Sequence, residues 1–249
     1  MSAPFVFAAM GTVVSLHTHA RLARATEDAV LTAFVTLEER FSTWRADSEG
    51  SRLSRHEITL LQVTPEFRSV YDEAIAWRAA TEGAFTPHRP DGMVDLSGLV
   101  KARALADAGE ALAAHGEQDW CLNAGGDVLT SGVRTDGTPW VVGIVDPRDR
   151  RSLLSQATTG PGRRAVATSG VAERGEHVWR LGADDRFSQV TVVAGDIVTA
   201  DVLATAILAG GTGALARAHD LAEVEVLACG SKGEFWATRA FRAPLLSRT

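Results

Sequence analysis

Residues 200–211 read Ala-Asp-Val-Leu-Ala-Thr-Ala-Ile-Leu-Ala-Gly-Gly, a run of small apolar residues that holds one carboxylate and one hydroxyl. The pattern predicts a helix that ends at the glycine pair. Asp201 and Thr205 are four residues apart, so a helix projects both oxygens from one face. Two hard oxygen ligands on one face suit Mg²⁺ or Ca²⁺. The alternative is that Asp201 complements the helix dipole and Thr205 bonds to its own backbone.

The composition is that of a globular protein with one large domain or two small ones. Its 249 residues, 45% hydrophobic and 22% charged, are enough to bury a sizeable core. The net charge of −6 and the lack of a Lys/Arg run argue against a nucleic-acid partner. Cys121 and Cys229 have no zinc-site or disulfide spacing, which fits a reducing compartment.

The N-terminal residues 1–10 have no basic segment, and Pro4 interrupts their apolar run, so we expect no signal peptide. We find no apolar run that approaches membrane-spanning length, so no membrane insertion is expected. The chain as given is therefore expected to be cytoplasmic, or exported if a leader has been trimmed from it. The sequence makes no prediction about the oligomeric state.

Helical and strand periods alternate along the chain without a long linker. Helices are predicted over residues 26–44, 65–83, 98–115, 200–211 and 213–221. Strands are predicted over residues 13–18, 140–145, 164–168, 189–193, 224–228 and 234–238. This order predicts a layered α+β fold. We expect a single domain over 1–249, with a division into two lobes near 158–163 as the alternative.

Two segments near the third predicted helix could hold a ligand. In residues 81–87, Gly83 and Pro87 bracket a tight passage that would wall a ligand with Phe85; the alternative is a helix C-cap followed by a buried Phe. In residues 94–101, free N–H groups at a Ser-Gly helix start would hold phosphate, and Lys101 would add charge. The alternative is that Asp95 is a helix cap and Lys101 a solvated surface residue.

Two later segments are weaker signals. Residues 122–128, Leu-Asn-Ala-Gly-Gly-Asp-Val, place paired glycines where a flat ligand or another backbone would approach closely, although a hairpin turn fits equally. Residues 167–170, Ala-Thr-Ser-Gly, are followed by His177, a group that titrates near neutral pH. Rossmann and P-loop nucleotide motifs are absent from the sequence.

Eight short pieces, taken in order, resemble the ApbE family of FAD:protein FMN transferases. The pieces are residues 9–12, 41–44 with 47–49 and 52–53, 83–85, 95–101, 122–127, 167–170, 177–178 and 200–211. Each piece is short, and it is their shared order from residue 9 to residue 211 that makes the resemblance specific.

The resemblance implies an α+β fold of mixed or antiparallel sheets with packed helices. It implies that FAD binds with Mg²⁺ at its pyrophosphate, and that FMN passes to a Thr or Ser of an acceptor protein with release of AMP. By this resemblance, the metal ligands would be Asp201, Thr205 and a backbone carbonyl near Gly98, and the catalytic residues would be His177 and Asp201. The residues that would line the FAD site are Met10, Trp44, Ala84, Phe85, Thr86, Asp95, Lys101 and Val178.

The chain departs from the family pattern at three places. Thr86 stands where the family usually has Asp, and Ala102 stands where it typically has Gly, so that a Cβ is expected to crowd the ligand. Residues 179–182 replace an Asp-Pro and Thr-Gly stretch. Two alternatives to transfer therefore stay open: an FAD pyrophosphatase that makes FMN and AMP, and a non-catalytic FAD-binding protein.

Overall fold

A computed structural model describes residues 3–170 and 187–242 of the chain. The helices are α1 (Arg24–Phe41), α2 (Glu49–Ser54), α3 (Pro65–Ala80), α4 (Ser97–Ala114) and α5 (Ile197–Leu221), with a short 3₁₀ helix at Arg239–Arg242. The strands are β1 (Phe5–Ala9), β2 (Thr12–Thr18), β3 (Trp120–Ala124), β4 (Asp127–Ser131), β5 (Val141–Asp146), β6 (Asp149–Thr158), β7 (Ala165–Gly170), β8 (Phe187–Ala194), β9 (Glu225–Gly230) and β10 (Phe235–Ala237).

One antiparallel sheet of eight strands forms the centre of the fold. Its strand order is β1-β2-β3-β4-β7-β8-β9-β10, and β5 pairs with β6 in a separate two-stranded sheet. The chain passes from the small sheet back to the central one through residues 159–164. The α+β fold class predicted from the sequence is confirmed, whereas the extent of the domain and its two-lobe alternative stay predictions.

Both faces of the central sheet contribute to a core, since successive side chains of a strand point to opposite faces. On β9, Val226 and Ala228 belong to the main core beneath the helices. Leu227 and Cys229 face the other way, into a smaller core that also contains Ile144 of the two-stranded sheet. The helices therefore pack on one face and the β5–β6 sheet covers part of the other.

Helices α4 and α5 form the inner part of the helical layer. α4 contacts both α1 and α5, and α5 lies against β7 and β8. Phe34 of α1, Leu105 of α4 and Leu203 of α5 are all fully buried in the same core. This packing holds the N-terminal parts of α4 and α5 side by side above the ends of the strands.

Helix α5 is interrupted at Gly211, which confirms the predicted change of helix after the glycine pair. Gly211 has φ 65° and ψ −146°, a conformation that an L side chain rarely adopts. By length and composition, α5 is also the one helix in the described part of the chain that is apolar enough to cross a membrane. The expectation that no apolar run approaches membrane-spanning length was therefore wrong. This is weak evidence for a membrane span, because 67% of its most apolar window is buried in the fold.

Other differences from the predicted elements concern short or edge segments. β1, β6 and α2 were missed, whereas the hairpin alternative for residues 122–128 is confirmed, since they span the turn of the β3–β4 hairpin. The first helix ends at Phe41, not at residue 44, because the Ser42 hydroxyl accepts the backbone N–H groups of Trp44 and Arg45.

The two cysteines are free thiols. Burial raises the pKa of Cys121 to about 11 and that of Cys229 to about 12. Both thiols are therefore protonated at neutral pH and poor nucleophiles.

Candidate functional site

An open cleft of about 260 Å³ lies where α4 and α5 begin, beside two hairpin turns and the end of β7. Its lining consists of Met10, Gly11, Thr43, Trp44, Asp95, Ser97, Gly98, Lys101, Gly125, Thr168, Ser169, Gly170, Asp201 and Thr205. These residues come from six separate parts of the sequence. Seven of the predicted site residues are brought together here: Met10, Trp44, Asp95, Gly98, Lys101, Asp201 and Thr205.

Two hairpin turns shape one wall of the cleft. Met10 and Gly11 both have positive φ (51° and 68°) in the two-residue turn between β1 and β2. A positive φ is uncommon for a residue such as Met, and such conformations concentrate at functional sites. Gly125 in the β3–β4 turn also has positive φ, and a Cβ there would lie 2.6 Å from the Thr12 hydroxyl. The close approach foreseen for the paired glycines is thus made to a neighbouring turn of the chain.

Asp201 and Thr205 are the fifth and ninth residues of α5 and lie one helical turn apart. The Asp201 side chain is buried, with 4% exposure, yet it lines the cleft. The carboxylate at the start of α5 is that of Asp196, which caps the helix by accepting the Thr199 N–H at 2.8 Å. The Thr205 hydroxyl bonds the Ser169 hydroxyl at 3.1 Å instead of its own backbone. The alternative to a metal site, in which Asp201 complements the helix dipole and Thr205 bonds to its own backbone, therefore does not describe this arrangement.

Lys101 forms a buried ion pair with Asp127. The side-chain exposures are 7% for Lys101 and 0% for Asp127, so the alternative of a solvated surface lysine is wrong. The second oxygen of Asp127 accepts the backbone N–H of Thr168 at 3.0 Å. One carboxylate therefore connects α4, the start of β4 and the end of β7 beneath the cleft.

Asp95 both lines the cleft and supports the start of α4. Its Oδ1 accepts the Ser97 N–H at 2.9 Å, while its own N–H donates to the Pro87 carbonyl at 2.8 Å. The N-cap position itself is Leu96, which makes no side-chain cap bond, so Asp95 braces the helix start from the residue before the cap rather than capping α4.

Ala84, Phe85 and Thr86 were predicted to line the FAD site, but they lie outside the cleft lining. Phe85 is buried behind it, and a Cβ added at Gly98 would lie 3.4 Å from the Phe85 ring. Ala84 is buried against α5, where a Cβ at Gly210 would approach its methyl group to 2.9 Å. Both residues support the cleft from the core side. His177 and Val178 lie outside the described residues.

Ala102 does not crowd the cleft, contrary to the expectation from the sequence. It is fully buried in the main core, while its neighbour Lys101 lines the cleft. Successive residues of a helix point about 100° apart, so one faces the ligand and the next faces the sheet. The departure from the family pattern at Ala102 is therefore a matter of core packing.

Trp44 stands at the mouth of the cleft with 89% of its surface exposed. It also lines an adjoining pocket of about 380 Å³ whose walls include Leu37, Phe41 and Val100. A large exposed aromatic ring between a polar cleft and an apolar pocket suits a flat ligand that carries a charged group.

Thr43, Thr168, Ser169 and Asp127 belong to this region but were not chosen from the sequence. The sequence signals were the 41–44 piece for Thr43 and the Gly-Gly-Asp and Ala-Thr-Ser-Gly segments for the others. None of these segments indicates that its polar side chains meet α4 and α5.

The oxygen donors of the cleft match the preferences of Mg²⁺. They include the Asp201 carboxylate and the Thr205 hydroxyl, which lie on one cleft with Gly98 and with the Asp95 carboxylate. No group of three or more His, Cys, Asp or Glu that could hold a metal occurs in the described ranges. A site built on the Asp201 carboxylate fits Mg²⁺, which is usually held by one or two carboxylates, waters and substrate phosphates.

The sequence model of the ApbE family matches residues 10–89 and 86–229. This chain belongs to the ApbE family. Among its relatives, the FAD:protein FMN transferase of Vibrio cholerae is 26% identical over 276 aligned residues, which cover 85% of this chain and 82% of the relative. The FAD:protein FMN transferase of Haemophilus influenzae is 22% identical, over 53% of each chain.

Solved ApbE structures share the fold of this ApbE-family chain. The ApbE protein of Thermotoga maritima superposes with a TM-score of 0.77 at 21% identity, covering 96% of this chain and 97% of that one. The flavin transferase ApbE of Vibrio cholerae gives 0.76 at 22% identity, with the same coverage. The family predicted from eight short pieces of sequence is thereby confirmed.

Proposed function

We propose that this ApbE-family chain is a Mg²⁺-dependent transferase that moves FMN from FAD to a Thr or Ser hydroxyl of an acceptor protein and releases AMP. Family membership and the two relatives named FAD:protein FMN transferase support flavin transfer. The observation that carries the proposal is one cleft that combines Asp201, Thr205 and Gly98 with the exposed ring of Trp44.

The charges of the described lining support the need for a divalent cation. Asp95 and Asp201 contribute two carboxylates, and the ammonium of Lys101 is already paired with Asp127. A pyrophosphate brought into this lining adds further negative charge. We therefore propose that Mg²⁺ is held by Asp201, Thr205 and the backbone near Gly98. When bound, it neutralises the charge that develops on phosphate oxygens during phosphoryl transfer.

The role of the protein residues in this reaction is to position the FAD donor. The acceptor oxygen forms a bond to the flavin-side phosphorus, and the P–O bond to AMP breaks with its electron pair staying on the AMP phosphate. The hydroxyl proton passes from the acceptor to water or to that phosphate. Trp44 is placed to stack on a flat ring at the cleft mouth, and Lys101 lies at the floor, where a phosphate oxygen would accept from it. Holding the donor in this way lowers the entropic cost of meeting the acceptor.

His177 stays the proposed acid/base or charge-stabilising group, and Val178 a proposed FAD contact. Both assignments rest on the resemblance alone. If His177 takes part in the chemistry, His177→Ala lowers kcat more than it weakens FAD binding. An equal loss in both would make it a binding or structural residue.

The deciding experiment is mass spectrometry with AMP quantitation after incubation with FAD and Mg²⁺, with and without a Thr-bearing flavin-acceptor domain. Transfer raises the acceptor mass by FMN less one water, with AMP in equal amount. AMP without an adduct would favour the pyrophosphatase alternative. Intact bound FAD with neither product would favour the binding-protein alternative and overturn the proposal. The Asp201→Asn variant is the matched control.

A further inference from the structure

Ser169 is a cleft residue to which the proposed function assigns no role. Its hydroxyl lies 3.1 Å from the hydroxyl of Thr205, and both groups line the cleft beside Asp201. We infer that Ser169 is a positioning residue: it holds the Thr205 hydroxyl in the orientation that directs an oxygen lone pair to the metal position. This inference rests on the proposed function, because it needs Thr205 to be a metal ligand.

The chemistry of a hydroxyl ligand gives Ser169 this task. A Thr hydroxyl has one hydrogen and two lone pairs, and its hydrogen rotates to suit its partners. Binding a cation requires a lone pair to face the ion and the hydrogen to face away. Either hydroxyl can donate in the Ser169–Thr205 bond; with Thr205 as the donor, its hydrogen is fixed in that outward position. Partners of this kind orient metal ligands and typically account for about 10- to 100-fold in affinity.

Ser169 is itself held in place. The preceding residue, Thr168, donates its backbone N–H to Asp127 at 3.0 Å, and its hydroxyl bonds that of Thr191 at 2.9 Å. Ser169 pairs with Val190 in the β7–β8 ladder. The partner of Thr205 is therefore on a rigid strand, which is where a positioning group is most accurate.

A purely structural contact between β7 and α5 is the rival interpretation of the same bond. The two differ in what they predict for metal binding. A structural contact changes the melting temperature of the protein, whereas a positioning role changes divalent-cation affinity even in variants that melt normally. Metal binding must therefore be measured directly, besides activity.

The experiment is a titration of the full chain with Mn²⁺ in the presence of FAD, following the EPR signal of free Mn²⁺. We expect Ser169→Ala to raise the Mn²⁺ Kd by about 10- to 100-fold. Ser169→Thr keeps the hydroxyl and stays within a few-fold of the parent. Ser188→Ala is the matched control, since Ser188 also makes one hydroxyl contact, to the Cys229 carbonyl at 3.2 Å. It leaves the Kd unchanged.

The variants separate failure of this inference from failure of the proposed function. If Asp201→Asn loses Mn²⁺ and Ser169→Ala binds it like the parent, the positioning role is wrong and the metal site stands. If Asp201→Asn also binds Mn²⁺ normally, the metal site is wrong and the inference falls with it. Should Ser169→Ala fold poorly by circular dichroism, Ser169→Cys keeps a side chain of the same shape, slightly larger, and replaces the hydroxyl by a thiol, which is a weak acceptor. It must show the same rise in Kd, or the inference is wrong.

Discussion

The ammonium of Lys101 and the carboxylate of Asp127 form an ion pair beneath the cleft, with 7% and 0% of the side chains exposed. The predicted phosphate-binding charge therefore has a protein partner before any ligand arrives. Asp127 also holds the Thr168 backbone, so the pair ties the start of α4 to the end of β7.

Removing one member of this pair should destabilise the protein strongly. Asp127→Ala leaves the Lys101 charge buried without its partner, and we expect a loss of about 3–5 kcal/mol in the free energy of unfolding. Urea denaturation of both proteins checks this value. The double variant Lys101→Met with Asp127→Ala should lose less than the two single variants combined. Strict additivity would contradict the pairing.

The metal assignment makes a separate prediction for Asp201. Asp201→Asn keeps the volume but removes the negative charge from a hard-cation site, so we expect Mg²⁺-dependent turnover to fall by about 100-fold or more. Turnover measured across a Mg²⁺ series tests this. Asp196→Asn is the control, because Asn also caps helices well and Asp196 only caps α5. Full activity of Asp201→Asn at low Mg²⁺ would overturn the assignment.

Two kinds of information in the sequence predicted part of the site. The helical period places Asp201 and Thr205 on one face, and the resemblance to the family points to Met10, Trp44 and Lys101. The Lys101–Asp127 and Ser169–Thr205 contacts depend on sheet register and on how α4 and α5 dock. Local periodicity carries no information about those long-range pairings.

The same limit applies at buried positions. The sequence places Phe85 near the ligand, but it does not reveal that the ring lies on the core side of Gly98. Whether Ala102 faces the cleft or the sheet is likewise set by the docking of α4.

The position of Ala102 gives a prediction about the family departure. Because Ala102 is fully buried in the core, Ala102→Gly restores the family residue without opening the cleft. We expect a loss of about 1 kcal/mol in stability, from glycine in a helix interior, and no gain in FAD affinity. Thermal melting and an FAD titration measure the two effects. Tighter FAD binding by this variant would show that the Cβ does crowd the ligand.

His88 should make stability depend on pH. Burial, and to a smaller extent the charge of Arg78, lower the pKa of His88, which bonds the Tyr71 hydroxyl at 3.1 Å. The unfolded chain therefore takes up the proton first as the pH falls through about 6.5. This contribution to stability is present above that pH and lost below it.

The measurement for His88 is the melting temperature at pH 7.5 and 5.5, for the parent and His88→Gln. Gln keeps a hydrogen-bonding group near Tyr71 but does not titrate, so the variant should lose less stability on acidification than the parent. Equal losses would show that His88 does not contribute to the pH dependence.

Substitution of Trp44 tests whether its ring stacks on the ligand, with little effect on the stability of the fold. Its ring is 89% exposed, so Trp44→Ala removes almost no core contact and should leave the melting temperature unchanged. If the ring stacks on FAD, the variant loses about 0.5–1.5 kcal/mol of binding, which is roughly a two- to tenfold rise in Kd. Fluorescence titration with FAD measures this change.

Two further variants serve as controls for the Trp44 substitution. Trp44→Phe keeps an aromatic face and should recover most of the affinity. Leu61 is another highly exposed apolar side chain and lies outside both pockets, so Leu61→Ala should have no effect. Unaltered FAD affinity in Trp44→Ala would assign this ring a different role, with contact to the acceptor protein as the next possibility to test.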